Sequence, residues 1–482
     1  MKNVKYGGDN LNDGYFHFII LSLILLLGIV LCAYIIQMHK FNQKLNQFTD
    51  RDTITDLWNI NKFVYEVSKV LIENKHQKMN YAMVSININK FRYVIENYGY
   101  EYGNLVLKQL AVSLTKMLPS KALLSRHNGD RFVLFLPFDN EHDITDYLSK
   151  MYIKLEYCTV DDFTVRLSYS SGIYLYKLDH HEQSSTISEK DIYLSIDKAD
   201  LARAQAKNTV NSYAFFNKEI QKRFMNEKMV EENMEHALSE KEFIIYYQPK
   251  YDIFQNKIVG AEALVRWNTK TNGFLVPDVF IPVFEKNDFI IELDFYVLEE
   301  VCKLIRYWID HGISVVPVSV NQSRNHLRKN DYLKRLDSLM KKYQIPKTMI
   351  ELELTESAFM DLDNTPQFMN DMSEMGFLVS MDDFGSGYSS LNMLNQIPIN
   401  TLKLDKCFLN ELADGRRTSI IMKKIVEMAD RLNMQVICEG VENLAQVEFL
   451  KSIGCNYAQG YYYAKPMPVD EFRMRYETNL FR

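Results

Sequence analysis

Cysteine is scarce and scattered in this 482-residue chain, with six residues (Cys32, Cys158, Cys302, Cys407, Cys438 and Cys455) and no CxxC pair. That spacing excludes a disulfide framework and a cysteine-built zinc site, and it fits a reducing compartment. Positive charge is not in excess either. The formal net charge of −6 gives no reason to expect polymeric nucleic acid as a partner, so any phosphate-bearing ligand must be held locally, by a metal or a few cations. Nor is apolar content short: 47% hydrophobic against 24% charged residues excludes a disordered chain. Long apolar runs are missing except for one. Tyr15 to Ile36 (YFHFIILSLILLLGIVLCAYII) holds no charged residue, and about 20 apolar residues suffice to cross a bilayer. No small-x-small cleavage site accompanies it, and Leu31 stands where a lipoprotein site at Cys32 needs a small residue. Both absences argue against a cleaved leader. Lys40, Lys44 and Arg51 follow the run, whereas Lys2 and Lys5 before it are balanced by Asp9 and Asp13. The positive-inside rule then predicts a single-pass protein of the cell membrane. Residues 1–14 form a short outer tail, 15–36 the span and 37–52 a juxtamembrane stalk, with the remainder in the cytoplasm.

What is present beyond the stalk reads as two domains. Residues 53–216 mix strand character, at Tyr81–Ile88, Arg131–Phe138 and Thr164–Tyr176, with helical patterns at Asn104–Leu118 and Asp191–Lys207. Residues 217–240 are charged and free of Gly and Pro, and read as a linker helix. From about 243 onward short apolar strands alternate with helices: FIIYYQ, AEALVRW, VVPVSVN, MIELELTE, FLVSMDDF, TLKLD, QVICEGV and YAQGYYYA. Eight such strands predict an α/β fold, a (β/α)8 barrel. The first two are joined only by the turn Asp252–Lys257, so one strand of the barrel is expected to run antiparallel.

Polar residues sit in this segment where a plain core needs none. Glu262 lies in the second strand, Asn321 ends the third, and Glu353 and Glu356 close the fourth. Asp382 and Asp383 close the fifth, Lys403 and Asp405 sit in the sixth, Glu439 and Glu442 end the seventh, and Gln459 lies in the eighth. The C-terminal strand ends of a barrel converge on one face, where active sites are built. Several carboxylates meeting there repel and lose hydration unless cations neutralise them. An all-oxygen set without histidine points to Mg²⁺ or Mn²⁺ rather than zinc or redox iron. Neighbours in a strand face opposite ways, so Asp382 and Asp383 share a site only where the strand breaks. Phe384-Gly385-Ser386-Gly387 is the expected break. One aspartate then bridges two metals, which clamp the attacking and leaving oxygens of a phosphodiester. Lys403 orients or deprotonates water, and Arg266 holds a phosphate bidentately. Each residue has a plainer reading: Lys403 and Asp405 as a structural ion pair, Arg266 as a strand cap, Gln248 before Pro249 as a strand end. A whole set falling at successive strand ends is what favours chemistry.

Through YYQPKY, EALVRW, SVN, ELTES, DDFGSGYSSL, LKLD, EGVE and QGYYYAKP, residues 230–475 resemble the EAL family of cyclic-di-GMP phosphodiesterases. The resemblance implies cleavage of cyclic di-GMP to linear pGpG with two Mg²⁺ or Mn²⁺ ions, by a domain spanning 230–482. It implies Glu262, Asn321, Glu353 and Asp382 as ligands of one metal and Asp382, Asp383 and Glu439 as the set for the other. Glu262 counts with Lys403 and Glu439 as catalytic, the latter two being alternatives for activating water. Glu356 resembles the brace of the DDFG loop, with Glu442 as further loop support. Arg266, Gln248, Gln459 and Asp405 resemble substrate-contacting or supporting positions, and a homodimer through the barrel is implied.

The preceding domain, through DTITDLWNINKF, SININKFRYVIENYGYEYGN and ADLARAQAKNTVN, resembles the GGDEF family of cyclases. A ferredoxin- or palm-like α+β fold is implied. Departures fall on chemistry: Asn87 replaces a metal-binding aspartate, Ile95 and Asn104 replace guanine-reading residues, and the signature reads Asn128-Gly129-Asp130-Arg131-Phe132. A degenerate, inactive cyclase is expected, with residual GTP binding through Asp130 as the lesser alternative. Two non-hydrolytic alternatives stand beside the hydrolase, a receptor that binds the dinucleotide without cutting it and a protein-binding scaffold. A receptor should lack a metal carboxylate or the lysine, and none is missing.

Overall fold

The computed structural model describes residues 37–38, 50–74, 79–160, 163–176, 188–206, 212–270, 273–329, 331–360, 365–385, 394, 397–410 and 416–480. The apolar run at 15–36 and most of the stalk lie outside the described residues, as do Ser386 and Gly387. Among the described residues no helix is long and apolar enough to cross a membrane. The chain divides into two units, 1–225 and 226–482.

In the first unit the elements run α1 (Ile60–Glu73), β1 (Asn80–Ile88), α2 (Phe91–Met117), β2 (Leu123–Asn128), β3 (Arg131–Phe138), α3 (Glu141–Leu155), β4 (Tyr157–Val160), β5 (Phe163–Arg166), β6 (Tyr169–Tyr176), α4 (Glu189–Ala206) and β7 (Ser212–Phe215). Five strands form one sheet in the order β2-β3-β1-β6-β7. β1 is buried along most of its length, which is why it reads as a nearly continuous apolar run. Two expectations need correction. The strand expected over Thr164–Tyr176 is two strands, because β5 leaves to form a separate hairpin with β4. The helix expected from Asn104 begins at Phe91, and Gly99 (φ 86°, ψ 165°) interrupts it, hiding its first turns from any helical period.

The chain divides within α5 (Lys218–Ser239). There follow β8 (Phe243–Asp252), β9 (Lys257–Thr269), β10 (Gly273–Leu275), α6 (Pro277–Lys286), α7 (Ile290–Asp310), β11 (Val318–Asn321), α8 (Tyr332–Tyr343), β12 (Ile350–Thr355), α9 (Glu356–Met360), α10 (Thr365–Glu374), β13 (Leu378–Phe384), β14 (Thr401–Leu404), α11 (Cys407–Asn410), α12 (Arg416–Arg431), β15 (Gln435–Cys438), α13 (Leu444–Ser452), β16 (Tyr457–Ala458), β17 (Met467–Pro468) and α14 (Val469–Leu480). Strands β9, β11, β12, β13, β14, β15, β16 and β8 pair in that order, and β8 closes the barrel by pairing with β9. β8 runs antiparallel to both neighbours, while the other neighbours are parallel. The cause is the short turn expected at Asp252–Lys257, which leaves no room for a crossover helix. On the outer side of β8, Tyr247 stacks on Phe472 of α14 at 5.4 Å. Alternation therefore turns Gln248 and Lys250 toward the barrel interior.

Candidate active site

Lys403 lies at the centre of the carboxylate cluster. It is 1% exposed, a lysine inside a barrel, and four acidic side chains from β9, β12, β13 and the end of β15 surround its ammonium. Nζ is 2.7 Å from Glu439 Oε1, 3.0 Å from Glu353 Oε2, 3.1 Å from Asp382 Oδ1 and 3.5 Å from Glu262 Oε2. The ion pair considered with Asp405 gives way to these four. Asp405 instead accepts the backbone amide of Cys407 at 2.8 Å, just beyond β14.

Among the described residues, two sets of carboxylate oxygens come within 4.8 Å of one another: Glu262, Glu353 and Asp382, and Asp382, Asp383 and Glu439. Asp382 belongs to both. The strand break that permits this is not where the glycines are. β13 continues to Phe384, and its register slips between Met381 and Phe384 because Asp383 itself takes a left-handed conformation (φ 57°). Such a bulge re-aims a side chain, and aspartate tolerates the conformation better than bulkier residues. The Asp383 amide donates to Asp382 Oδ1 at 2.9 Å, which ties the pair together.

Around the cluster the polar partners are specific. Asn321 donates its amide to Glu262 Oε1 at 3.0 Å. Its nitrogen, not its oxygen, therefore faces the cluster, and ligation requires the amide to turn over. Gln459 donates to Glu262 Oε2 at 2.6 Å and to Gln248 Oε1 at 3.0 Å, and Gln248 donates to the Ala464 carbonyl at 3.2 Å. Both glutamines thus brace Glu262. Glu356 opens α9 and accepts the Gly385 amide at 3.4 Å. Arg266, four residues past Glu262 in β9, donates to the Val265 carbonyl and lies 5.8 Å from the Tyr246 ring. Glu442 is not brought to the cluster: it is exposed on the turn after β15, and its backbone amide donates to Gln446. That turn opens α13, so the residue serves a helix start rather than a strand end.

Two residues went unread in the sequence. Lys250 is 3% exposed, with Nζ 2.7 Å from Glu351 Oε2 and 3.0 Å from Glu353 Oε1. Each lies two residues from a residue already singled out, Gln248 and Glu353, on the same strand face. Period-two alternation was the available signal.

The electrostatics follow from burial and from the lysines. Burial pushes the Glu262, Asp382 and Asp383 carboxyls up, against the pull of Lys403. Glu439 is pushed up to about 8 by burial, again against Lys403, with Asp382 and Glu262 adding to the rise. Glu353 goes the other way. Burial would raise it, but Lys403 and Lys250 together hold it down at about 2. Burial opposes the charge on Lys403, yet the surrounding carboxylates raise its pKa well above the ordinary lysine value.

In the first unit Asn87 donates to Asp130 Oδ2 at 2.9 Å and to the Ile88 carbonyl at 2.8 Å. Arg131 lies 3.2 Å from Asp200, which also accepts from Ser85 at 2.6 Å and from Arg203 at 3.0 Å. Ile95 packs on the apolar core, and Asn104 and Asn128 are exposed.

Residues 231–466 match the EAL domain family, and residues 49–209 match the GGDEF domain family of diguanylate cyclases. Signaling protein YkoW of Bacillus subtilis is 30% identical over 447 residues, covering 92% of this chain and 55% of that protein. The bifunctional diguanylate cyclase/cyclic di-GMP phosphodiesterase MucR of Pseudomonas aeruginosa is 29% identical, with 90% and 62% covered. The cyclic di-GMP phosphodiesterase PdeR of Escherichia coli is 28% identical, with 93% and 66% covered. The chain thus spans between about half and two thirds of the length of these relatives. Its barrel, with carboxylates gathered from several strands, and the α+β domain before it have the fold and motifs these matches require: the chain belongs to the EAL domain family, joined to a GGDEF domain.

Proposed function

We propose that the barrel hydrolyses cyclic di-GMP to linear pGpG with two divalent cations, Mg²⁺ or Mn²⁺. The observation that carries this reading is the clustering of carboxylates from β9, β12, β13 and the end of β15 around Lys403. Two carboxylate sets that share Asp382 suit two cations, because gathered buried carboxylates need compensating charge. The all-oxygen donor set suits hard cations.

Glu262, Glu353, Asp382 and a turned Asn321 would hold one cation, and Asp382, Asp383 and Glu439 the other. Bound there, the ions supply Lewis acidity toward the phosphate and the attacking water. The chain's own groups divide the remaining work. Lys403, kept protonated by its carboxylates, offsets phosphate charge and orients water but has no basic lone pair to offer. Glu439, a carboxylate 2.7 Å from Lys403 Nζ at the end of β15, is the group proposed to accept the water proton. Gln248 and Gln459 keep Glu262 in place, and Arg266, four residues past Glu262 in β9, is the cation proposed to meet a phosphate.

The GGDEF domain is read as a degenerate cyclase. Asn87 spends its donor on Asp130, Arg131 is occupied by Asp200, and Ile95 is packed apolar surface where guanine would need hydrogen bonds. The span at 15–36 is proposed to anchor the chain with both domains in the cytoplasm, and pairing through the barrel to make a homodimer.

The test is incubation of the purified chain with cyclic di-GMP and Mg²⁺ or Mn²⁺, with pGpG resolved by chromatography. Glu262→Ala should abolish most turnover, about 10²-fold or more, with the far-UV spectrum unchanged. No product at any metal concentration would replace the hydrolase by a receptor that binds without cutting.

A further inference from the structure

β8 carries a second buried lysine to which the reaction above gives no role. Lys250 Nζ lies 3.0 Å from Glu353 Oε1, while the other oxygen of that carboxylate lies 3.0 Å from Lys403. Each oxygen of Glu353 therefore faces a different ammonium. Glu351, on the same face of β12, takes another donor of Lys250 at 2.7 Å. The register makes room for the lysine stem. Lys250 pairs with Gly260 of β9, and a Cβ on Gly260 would stand 3.6 Å from Lys250 Cδ and 3.1 Å from the Pro317 carbonyl. The contacts form an unbroken line, from Glu351 through Lys250 and Glu353 to Lys403 and the remaining carboxylates.

We propose that Lys250 is a positioning residue for the metal site: it pins one oxygen of Glu353, so that the carboxylate cannot rotate and the other oxygen stays aimed at the first cation. The proposal rests on the two-cation reading. The plainer role for Lys250 is as counter-ion to Glu351, whose burial alone would demand one. The two roles separate when both members of that pair are neutralised together. Replacing a complete buried ion pair is often neutral for stability, whereas breaking it is not. Glu351 then needs no counter-ion, but Glu353 has still lost its pin.

The experiment is calorimetric titration of Mn²⁺ into the ion-free full chain, with thermal unfolding measured alongside. Wild type, Glu351→Gln and the double variant Lys250→Met/Glu351→Gln are compared. Glu351→Gln, which keeps Lys250 on Glu353, should bind close to the wild-type affinity. The double variant should fold but bind about 10–100-fold more weakly, the usual loss when a partner orienting a metal ligand is removed. Wild-type affinity in the double variant, or an equal loss in both variants, overturns the proposal. So does a double variant that no longer folds, since Lys250 would then serve the barrel and not the metals. Failure of the wild type to take up Mn²⁺ is a different result, and it removes the two-cation reading itself.

Discussion

A single carboxylate behaves differently from its neighbours in this barrel. Glu353 has a lysine on each oxygen and is held ionised at about 2, whereas Glu439, whose burial outweighs the pull of Lys403, rises to about 8. The signs for stability are therefore opposite. Glu353 contributes stability that is present above its unfolded value of about 4.5 and is lost only as pH falls toward 2. For Glu439 the folded state favours the neutral form. Its contribution is present below about 4.5 and is lost as pH rises through about 8. Glu262, Asp382 and Asp383 are shifted in the same direction as Glu439. Cations need these groups deprotonated, so binding releases protons. The rise in melting temperature caused by Mg²⁺ should accordingly be larger at pH 8.5 than at pH 6. The melting temperature of the EDTA-treated chain should change in the opposite sense over that interval. Thermal scans at the two pH values check this, and an equal Mg²⁺ effect at both would count against the raised carboxyls. At this scale some of the clustered acids were legible in the sequence, while Glu442 lies away from the cluster and Glu351 and Lys250 were missed. Glu262, Glu353, Asp382 and Glu439 stand out as charges in apolar strands. Lys250 does not, because a lysine near a strand end is ordinarily a solvated side chain and only its burial reveals it.

At the scale of the element, β13 is the piece that turns two adjacent aspartates into one site. An unbroken strand would send them to opposite faces, and the left-handed turn at Asp383 prevents it. Beyond it Gly385 holds φ at 92°, with no space for a side chain because a Cβ would strike the ring of Phe408. Its amide also reaches Glu356. Gly385→Ala should therefore cost about 1–2 kcal/mol in local strain and shift Asp383 out of reach. Turnover should fall at least tenfold while the far-UV spectrum stays that of the wild type. Unchanged turnover would mean that the loop is not what places Asp383. From sequence the break was expected at the glycines, because glycine is the usual bearer of positive φ. A bulge depends on the register with β14, which no local pattern encodes. The antiparallel β8 is the opposite case: four residues between β8 and β9 permit only a hairpin, so that departure from an ideal barrel was legible beforehand.

For the molecule as a whole, an EAL domain and a GGDEF domain stand in one chain. The proposed degeneracy of the GGDEF domain belongs to this scale, with Arg131 paired to Asp200 and Asn87 bonded to Asp130. Incubating the full chain with GTP and Mg²⁺ should yield no cyclic dinucleotide by chromatography, and any such product would overturn the reading of Ile95 and Arg131.

The sequence alone determined the order of the two domains, the eight strands of the barrel and the strand-end acids. Those features are carried by local apolar periodicity and by charges placed where solvent would not favour them. Tertiary structure decided what the charges do. It gave Lys403 four partners instead of one, turned Gln248 and Gln459 onto Glu262, left Glu442 on the surface and set Lys250 beneath Glu353. Those outcomes depend on which strands lie side by side and in what register, and contacts made across 50 to 200 residues of chain leave no trace in any short window of sequence.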